Sequence, residues 1–461
     1  MDFSAANQSL WSPIVQIGII AGLILLANVV RRKVPFIKKT MMPTAVLAGF
    51  ILLLLRETNV LFMVETEFLE GITFHTLALG FIAMSLRIPE KNTKAEKLIG
   101  GKSGALIVST YLVQGLVGLA ISLILAYTVM PDLFKASGIL LPMAFGQGPG
   151  QANNVGSTYE ALGFVGGRTF GLSLAAAGYL CACIVGVIFL NVYERKNLLK
   201  RSKTHDKTVS GSVTLDTYQD DNEIPIAESV DKLSVQIALV VFVYLVTFLL
   251  TYGITSLLEA VAPGLAATVS TLLWGFNFII GSVVATCFRS LFSGLRSMKI
   301  MTRQYQNNYL LSRVSGFAFD VMIVSGIASI SIEDLAGYWL PFVLMAVAGG
   351  VVTFIYLKYM CKRLYPDYER EGFFSMYGML TGTISSGVLL LREIDPSFET
   401  PAANNLISGS SFGIVFGAPL LVLISMAAKS DMMVFVVFGM LSIYLAALTL
   451  FMFKIGKDKK K

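Results

Sequence analysis

Charged residues are scarce in this chain of 461 residues, where they make up 14% of the sequence while 55% is hydrophobic. A soluble domain carries about 25% charged residues. This shortage excludes an ordinary soluble protein and indicates helices that face lipid or one another. The net charge of +7 is distributed over short loops between apolar stretches, so we expect the lipid bilayer, and no nucleic acid, as the partner.

Histidine and cysteine are also scarce. The chain has only two histidines, His75 and His205, so a histidine-rich metal site is excluded. The four cysteines follow no spacing typical of metal ligands or disulfides. The sequence also lacks an HExxH motif, a P-loop and a nucleophile with a plausible histidine base. We therefore expect a protein that is not an enzyme and uses no cofactor.

Apolar stretches long enough, or nearly so, to cross a bilayer are abundant. The first is not expected to be a cleaved signal peptide, because its basic cluster "RRKVPFIKK" follows it. Two further apolar pieces, near 138–160 and 375–403, are interrupted by small and polar residues, and we expect them to form broken hairpins. The eleven continuous stretches are 12–30, 42–55, 71–86, 105–128, 169–193, 233–257, 266–288, 314–330, 337–357, 406–427 and 432–453.

The basic residues predict the topology. If both interrupted pieces return to the side they started from and the amino terminus is outside, nearly all of the 36 Lys and Arg lie inside. The exceptions are Arg56, Lys135, Arg168 and Lys429. This pattern favours re-entrant hairpins, a cytoplasmic carboxyl terminus and a multi-pass membrane protein.

The order of stretches predicts an internal repeat. Residues 1–193 and 232–430 each contain four spans, one hairpin and one further span, so an odd number of crossings inverts the second half. The similar segments "FHTLALGFIA" at 74–83 and "FDVMIVSGIA" at 319–328 support the pairing of the two halves. The predicted fold is an all-α polytopic membrane protein with two inverted repeats of five transmembrane helices. Residues 194–231 form a cytoplasmic linker, and residues 431–461 add a carboxyl-terminal helix and basic tail.

The interrupted pieces contain the candidate binding residues. Unwound backbone at membrane depth survives only against protein or a water-filled cavity, and paired broken helices are typical of transporters. Amides and hydroxyls bind solutes well, while hydroxyl and carbonyl oxygens suit Na⁺. The substrate candidates are Gly146, Gln147, Gly148, Gly150, Gln151, Asn153, Asn154, Thr383, Ser385 and Ser386, and the Na⁺ candidates are Thr381, Ser385 and Asp320.

Other interpretations of these residues remain open. Small residues in membrane helices commonly serve close packing, and we interpret "GLSLAAAG" at 171–178 in that way. Asp320 is the only carboxylate well inside an apolar span, where it would hold Na⁺, carry a proton or pair with Arg313. A cation/proton exchanger or channel of inverted-repeat fold that uses Asp320 is therefore the alternative.

Three segments together resemble the bacterial sodium/glutamate symporters: "GQGPG" at 146–150, "GFVGGRTFGLSLAAAG" at 163–178 and "GMLTGTISSG" at 378–387. The resemblance implies Na⁺-coupled uptake of L-glutamate by a homodimer with an elevator-type movement. The chain departs from the family pattern at Gln147 and near Tyr377, where the family commonly has histidine. A symporter of another amino acid or organic anion is therefore a further alternative.

Overall fold

The computed structural model describes residues 2–35, 37, 42–61, 63–88, 94–195, 231–261, 270, 273–274, 277–301, 303–395 and 400–454. Within these ranges the chain is helical and contains no strand, which confirms the prediction of an all-α protein. The predicted linker lies outside the described residues over 196–230, and so does His205.

The first half of the chain runs from an amino-terminal helix to the linker. A 3-10 turn (Lys135–Ile139) and a π-helical turn (Pro142–Gly146) follow its fourth helix, and a second π turn (Cys181–Val185) separates its last two. The helices are α1 (Gln8–Lys33), α2 (Thr44–Glu57), α3 (Thr66–Leu86), α4 (Lys94–Thr128), α5 (Pro149–Ala161), α6 (Gly167–Leu180) and α7 (Gly186–Arg195).

The second half of the chain also contains long helices and one broken segment, and a further helix follows it. Its described helices are α8 (Lys232–Val261), α9 (Asn277–Ser297), α10 (Asn308–Ala328), the short α11 (Ile332–Leu335), α12 (Trp339–Leu364), α13 (Glu369–Thr381), α14 (Ile384–Arg392), α15 (Ala402–Ala427) and α16 (Asp431–Lys454). The internal repeat and the inversion of its second half both stay predictions.

Ten helical segments of the described residues are long and apolar enough to cross a membrane, which identifies a multi-pass membrane protein. The sequence predicted eleven continuous spans. The difference is the stretch 42–55, which forms α2 with only 14 residues. At about 1.5 Å per residue such a helix is shorter than the roughly 30 Å hydrocarbon core.

The surface of the long helices is apolar, as contact with lipid requires. Along α8, Leu245, Phe248 and Leu249 are exposed, while Thr247 and Thr251 are buried. Each of these threonine hydroxyls donates to a carbonyl one turn earlier, so neither hydroxyl is left unpaired. A soluble protein rarely exposes such continuous apolar surface.

The chain divides into two compact units. The first comprises Met1–Leu69, Asn92–Thr204 and Val324–Lys461, and the second comprises Glu70–Lys91 and His205–Ile323. In the second unit, residues of α3, α8, α9 and α10 build an apolar core that includes Ile82, Val243 and Ala285. Both interrupted pieces belong to the first unit, so their residues fold within one compact body.

Helix α4 is the central element of the first unit and packs against α12, α15, α16 and the turns before α5. Glycines allow its closest approaches, because a β-carbon on Gly118 would overlap the backbone of Gly138. The additional helix α16 is held by a hydrogen bond from the Tyr444 hydroxyl to the Phe416 carbonyl at 2.5 Å, and by an ion pair between Asp431 and Lys135. The carboxyl-terminal helix is therefore an integral part of this unit.

Candidate functional site

The first interrupted piece is a broken helix. The π turn ends at Gly146, and Gly148 has a φ of 84° and a ψ of −175°, a conformation that side chains other than hydrogen strongly disfavour. Pro149 then begins α5, where its missing N–H costs nothing. The glycine and the proline together stop one helix and start another.

The second interrupted piece is broken in a similar way. Helix α13 ends at Thr381, Gly382 and Thr383 are non-helical, and α14 begins at Ile384. A β-carbon on Gly382 would lie 2.9 Å from the Ser386 hydroxyl oxygen, so a larger residue here would displace that side chain. The second interrupted piece, expected near 375–403, therefore consists of α13, which already begins at Glu369, and α14, while its return to the same side of the membrane stays a prediction.

The two breaks lie against each other. A β-carbon on Gly148 would be 3.6 Å from the Thr383 methyl carbon and 3.8 Å from the Gly382 carbonyl oxygen, both ordinary contact distances. The hydroxyl oxygen of Tyr179 in α6 lies at the same place, 3.6 Å from that β-carbon. The structure therefore brings the tips of the two interrupted pieces into contact.

Two helix starts meet at this contact. Helix α5 begins after Gly148, and α14 begins after Thr383. Neither start is capped by a hydrogen bond from a side chain. The first backbone N–H groups of a helix have no partner inside it, and they carry partial positive charge. The contact between the tips is therefore suited to carboxylate groups.

Helix α6 supports both broken helices through its glycines. A β-carbon on Gly171 would lie 3.0 Å from the Ala152 carbonyl oxygen in α5. One on Gly178 would overlap the carbonyl oxygen of Thr381 at the end of α13. The interpretation of "GLSLAAAG" as a packing surface is confirmed at these two positions.

We expect the Gly178→Ala variant to be destabilised by about 1–3 kcal/mol, the usual cost of overpacking, because its methyl group would push Thr381 away. Thermal unfolding of the purified protein in detergent measures this as a lower midpoint. Gly439→Ala is the matched control, since nothing lies within 4 Å of its β-carbon and alanine favours a helix. A midpoint equal to that of the control would contradict the close contact.

Polar side chains without partners cluster around the broken helices. The amides of Gln151, Asn153 and Asn154 are at most 3% exposed, and the structure gives no hydrogen-bond partner to the side-chain oxygen of any of them. The hydroxyl oxygens of Thr383 and Ser386 are likewise buried without a partner. An unpaired buried polar group costs about 1–3 kcal/mol, so such a concentration is typical of a site that receives a polar ligand.

The other predicted residues occupy different positions. Gly146 packs on the Tyr111 ring, and the Thr381 hydroxyl donates to the Tyr377 carbonyl at 2.7 Å. Gln147 is half-buried between the π turn and Gly148, and Gly150 is buried in the first turn of α5. The side chain of Ser385 lies outside the described part of the structure.

Asp320 belongs to the second unit, whereas all of the hairpin residues belong to the first. It lies on an exposed part of α10. The ion pair considered with Arg313 is not found among the described residues, and the Arg313 guanidinium instead lies 5.0 Å from the Tyr309 ring centroid.

Several residues of this cluster were not anticipated. The Gln114 side-chain amide nitrogen donates to the Leu380 carbonyl at 2.9 Å and to the Thr353 hydroxyl at 2.8 Å, while its oxygen has no partner. Ser173 of α6 and Tyr377 of α13 also carry buried hydroxyls without a partner. A glutamine inside the apolar stretch 105–128 was the available signal for Gln114. Ser173 gave no such signal, and Tyr377 was named only as a departure from the family pattern.

The side chains of the cluster can donate and accept hydrogen bonds. Its described side chains are amides and hydroxyls, with no carboxylate, ammonium or imidazole among them. No group of three or more His, Cys, Asp or Glu in the described part of the chain could hold a metal ion. Its positive character comes from the two helix starts, and its hydrogen-bonding capacity comes from the amides.

Comparison with known proteins adds no relative. No model of a known protein family matches the chain, and no curated protein sequence matches it either.

Proposed function

We propose that this protein is a secondary active transporter that couples the uptake of an anionic amino acid, L-glutamate in the first instance, to Na⁺. The observation that carries the proposal is the contact between two broken helices whose uncapped starts meet amid buried, unpaired amides and hydroxyls. Half-helix starts of this kind suit the carboxylates of a solute in a membrane transporter. The unpaired oxygens suit its ammonium group and Na⁺.

The coupling follows from the shared location. A carboxylate at the helix starts and a Na⁺ ion beside it attract each other, so each binds more tightly when the other is present. Such reciprocal coupling is what a symporter requires. In the proposed cycle the loaded broken helices cross the membrane by an elevator-type movement, and the working form is a homodimer in the inner membrane.

The test is uptake of radiolabelled L-glutamate into proteoliposomes with and without an inward Na⁺ gradient. We expect uptake only with the gradient. In the Ser386→Ala variant we expect the uptake rate to fall about tenfold or more, because the Ser386 hydroxyl is a proposed ligand. Ser442→Ala is the control, since this exposed serine on α16 bonds only to its own helix. A panel of other amino acids and organic anions identifies the substrate if glutamate is not carried. The proposal fails if no organic solute accumulates.

Asp320 keeps a second candidate function open, a cation/proton exchanger or channel, because it is an exposed carboxylate on an apolar helix. The Asp320→Asn variant separates the two functions. For a symporter we expect solute uptake to persist, with a changed Na⁺ dependence only if Asp320 is a Na⁺ ligand. Cation flux without any solute, abolished by Asp320→Asn, would establish the exchanger instead.

A further inference from the structure

A recess that is open to its surroundings lies beside the first turn of α13. Its lining residues come from three helices of the first unit: Tyr193 of α7, Lys358 of α12, and Glu369, Arg370, Phe373 and Phe374 of α13. The proposed solute site involves none of them, so the recess needs an explanation of its own.

The recess lies where the apolar part of the helices ends. Tyr193 is the last residue of the candidate membrane span that begins at Gly167, and Lys358 is in the last two turns of the span that ends at Leu364. Basic and aromatic side chains gather at the membrane–water interface, where lipid headgroups lie. A ligand of this recess is therefore available from the bilayer itself.

The floor of the recess is aromatic. Phe373 and Phe374 are almost completely buried, with exposed fractions of 5% and 0%. The Tyr193 and Phe374 rings meet edge to face at 5.8 Å between centroids. Such a floor contacts the apolar atoms of a ligand and leaves the polar contacts to the rim.

The rim carries two cations and one carboxylate. Lys358 is exposed, and Glu369 and Arg370 are half-buried. Within the described part of the chain, the side chains of Glu369 and Arg370 form neither a hydrogen bond nor an ion pair, and Lys358 only approaches the Phe354 ring, at 5.9 Å. Three charged groups that line one recess without pairing are free to bind an external ligand.

We propose that this recess binds the headgroup of a phosphatidylethanolamine molecule. Its phosphate would accept from Lys358 and Arg370, and its ammonium group would pair with Glu369, so each charge of the headgroup meets an opposite charge on the rim. The anionic headgroup of phosphatidylglycerol leaves Glu369 unpaired. The quaternary ammonium of phosphatidylcholine has no N–H to donate to it. The proposal is independent of which solute the protein transports.

Native mass spectrometry of the delipidated full-length protein tests this inference, with equal amounts of phosphatidylethanolamine, phosphatidylglycerol and phosphatidylcholine in one detergent. We expect the bound fraction of phosphatidylethanolamine to be about threefold or more above that of either other lipid, because it alone forms a charged hydrogen bond with Glu369. Glu369→Gln preserves the shape of the side chain and removes its charge, so it should shift the preference to phosphatidylglycerol. The double variant Lys358→Ala, Arg370→Ala should lose the retained lipid.

The matched control is the double variant Arg32→Ala, Lys33→Ala, which removes one exposed Arg and one exposed Lys from the end of α1. It should retain lipid as the unaltered protein does. Thermal unfolding of each variant excludes loss through misfolding. Unselective retention, or a preference unchanged by Glu369→Gln, would overturn the proposal. Displacement of the lipid by millimolar inorganic phosphate would also overturn it, and would assign the recess to a soluble phosphate.

Discussion

Replacing Asn154 with leucine is expected to reduce Na⁺-driven uptake strongly while leaving the empty protein as stable as before, or more stable. Asn154 is 2% exposed, and neither its amide nitrogen nor its amide oxygen has a partner in the structure. Leucine has the same branching without polar atoms, so it removes two unsatisfied groups. If a solute normally satisfies them, uptake should fall about tenfold to a hundredfold.

The two readouts separate a binding role from a structural one. Uptake into proteoliposomes measures the first, and the thermal midpoint in detergent without solute measures the second. Asn154→Ala is measured in parallel because leucine is larger than asparagine and could block the site by its volume alone. This variant should lose uptake to a similar degree. Normal uptake in both variants would remove Asn154 from the site.

Asn405→Leu provides the matched control. Asn405 is also buried, at 4% exposed, but its amide nitrogen donates to the Tyr368 hydroxyl at 2.8 Å. Its replacement should therefore lower the thermal midpoint, while uptake per folded molecule persists. The contrast between the two asparagines depends on hydrogen bonding alone, because both are buried amides in the same unit.

The sequence predicts the helical fold well, because long apolar stretches can satisfy their backbone in a bilayer only as helices. The prediction was less accurate where length was marginal, as at α2, whose 14 residues are too few for a full span. It also shortened the first arm of the second hairpin, since the polar start of α13 at Glu369 and Arg370 concealed a helix.

For the candidate site, the sequence identified the broken segments but not the residues that surround them. Glycine, proline and amides inside an apolar stretch are local signals, so Gly148 and Asn154 could be named as candidates from the sequence. Gln114 was not, because its role depends on meeting the Leu380 carbonyl, more than 200 positions further along the chain. A contact of that kind leaves no local pattern.

Gly148→Ala is expected to weaken solute binding through the backbone alone. With a φ of 84° and a ψ of −175°, an alanine here costs about 1–3 kcal/mol unless the chain rearranges. If the backbone relaxes to relieve this strain, the start of α5 moves away from Thr383, which Gly148 contacts. We therefore expect a lower thermal midpoint, together with an about tenfold rise in the solute concentration for half-maximal uptake.

Gly163→Ala distinguishes this effect from strain in general. Gly163 has a φ of 104° in the turn between α5 and α6, and nothing lies within 4 Å of its β-carbon. Both variants should therefore lose stability, whereas only Gly148→Ala should change the solute and Na⁺ concentrations that half-saturate uptake. Equal half-saturation values in the two variants would mean that the contact between the helix starts is structural, and the carboxylate would have to bind elsewhere.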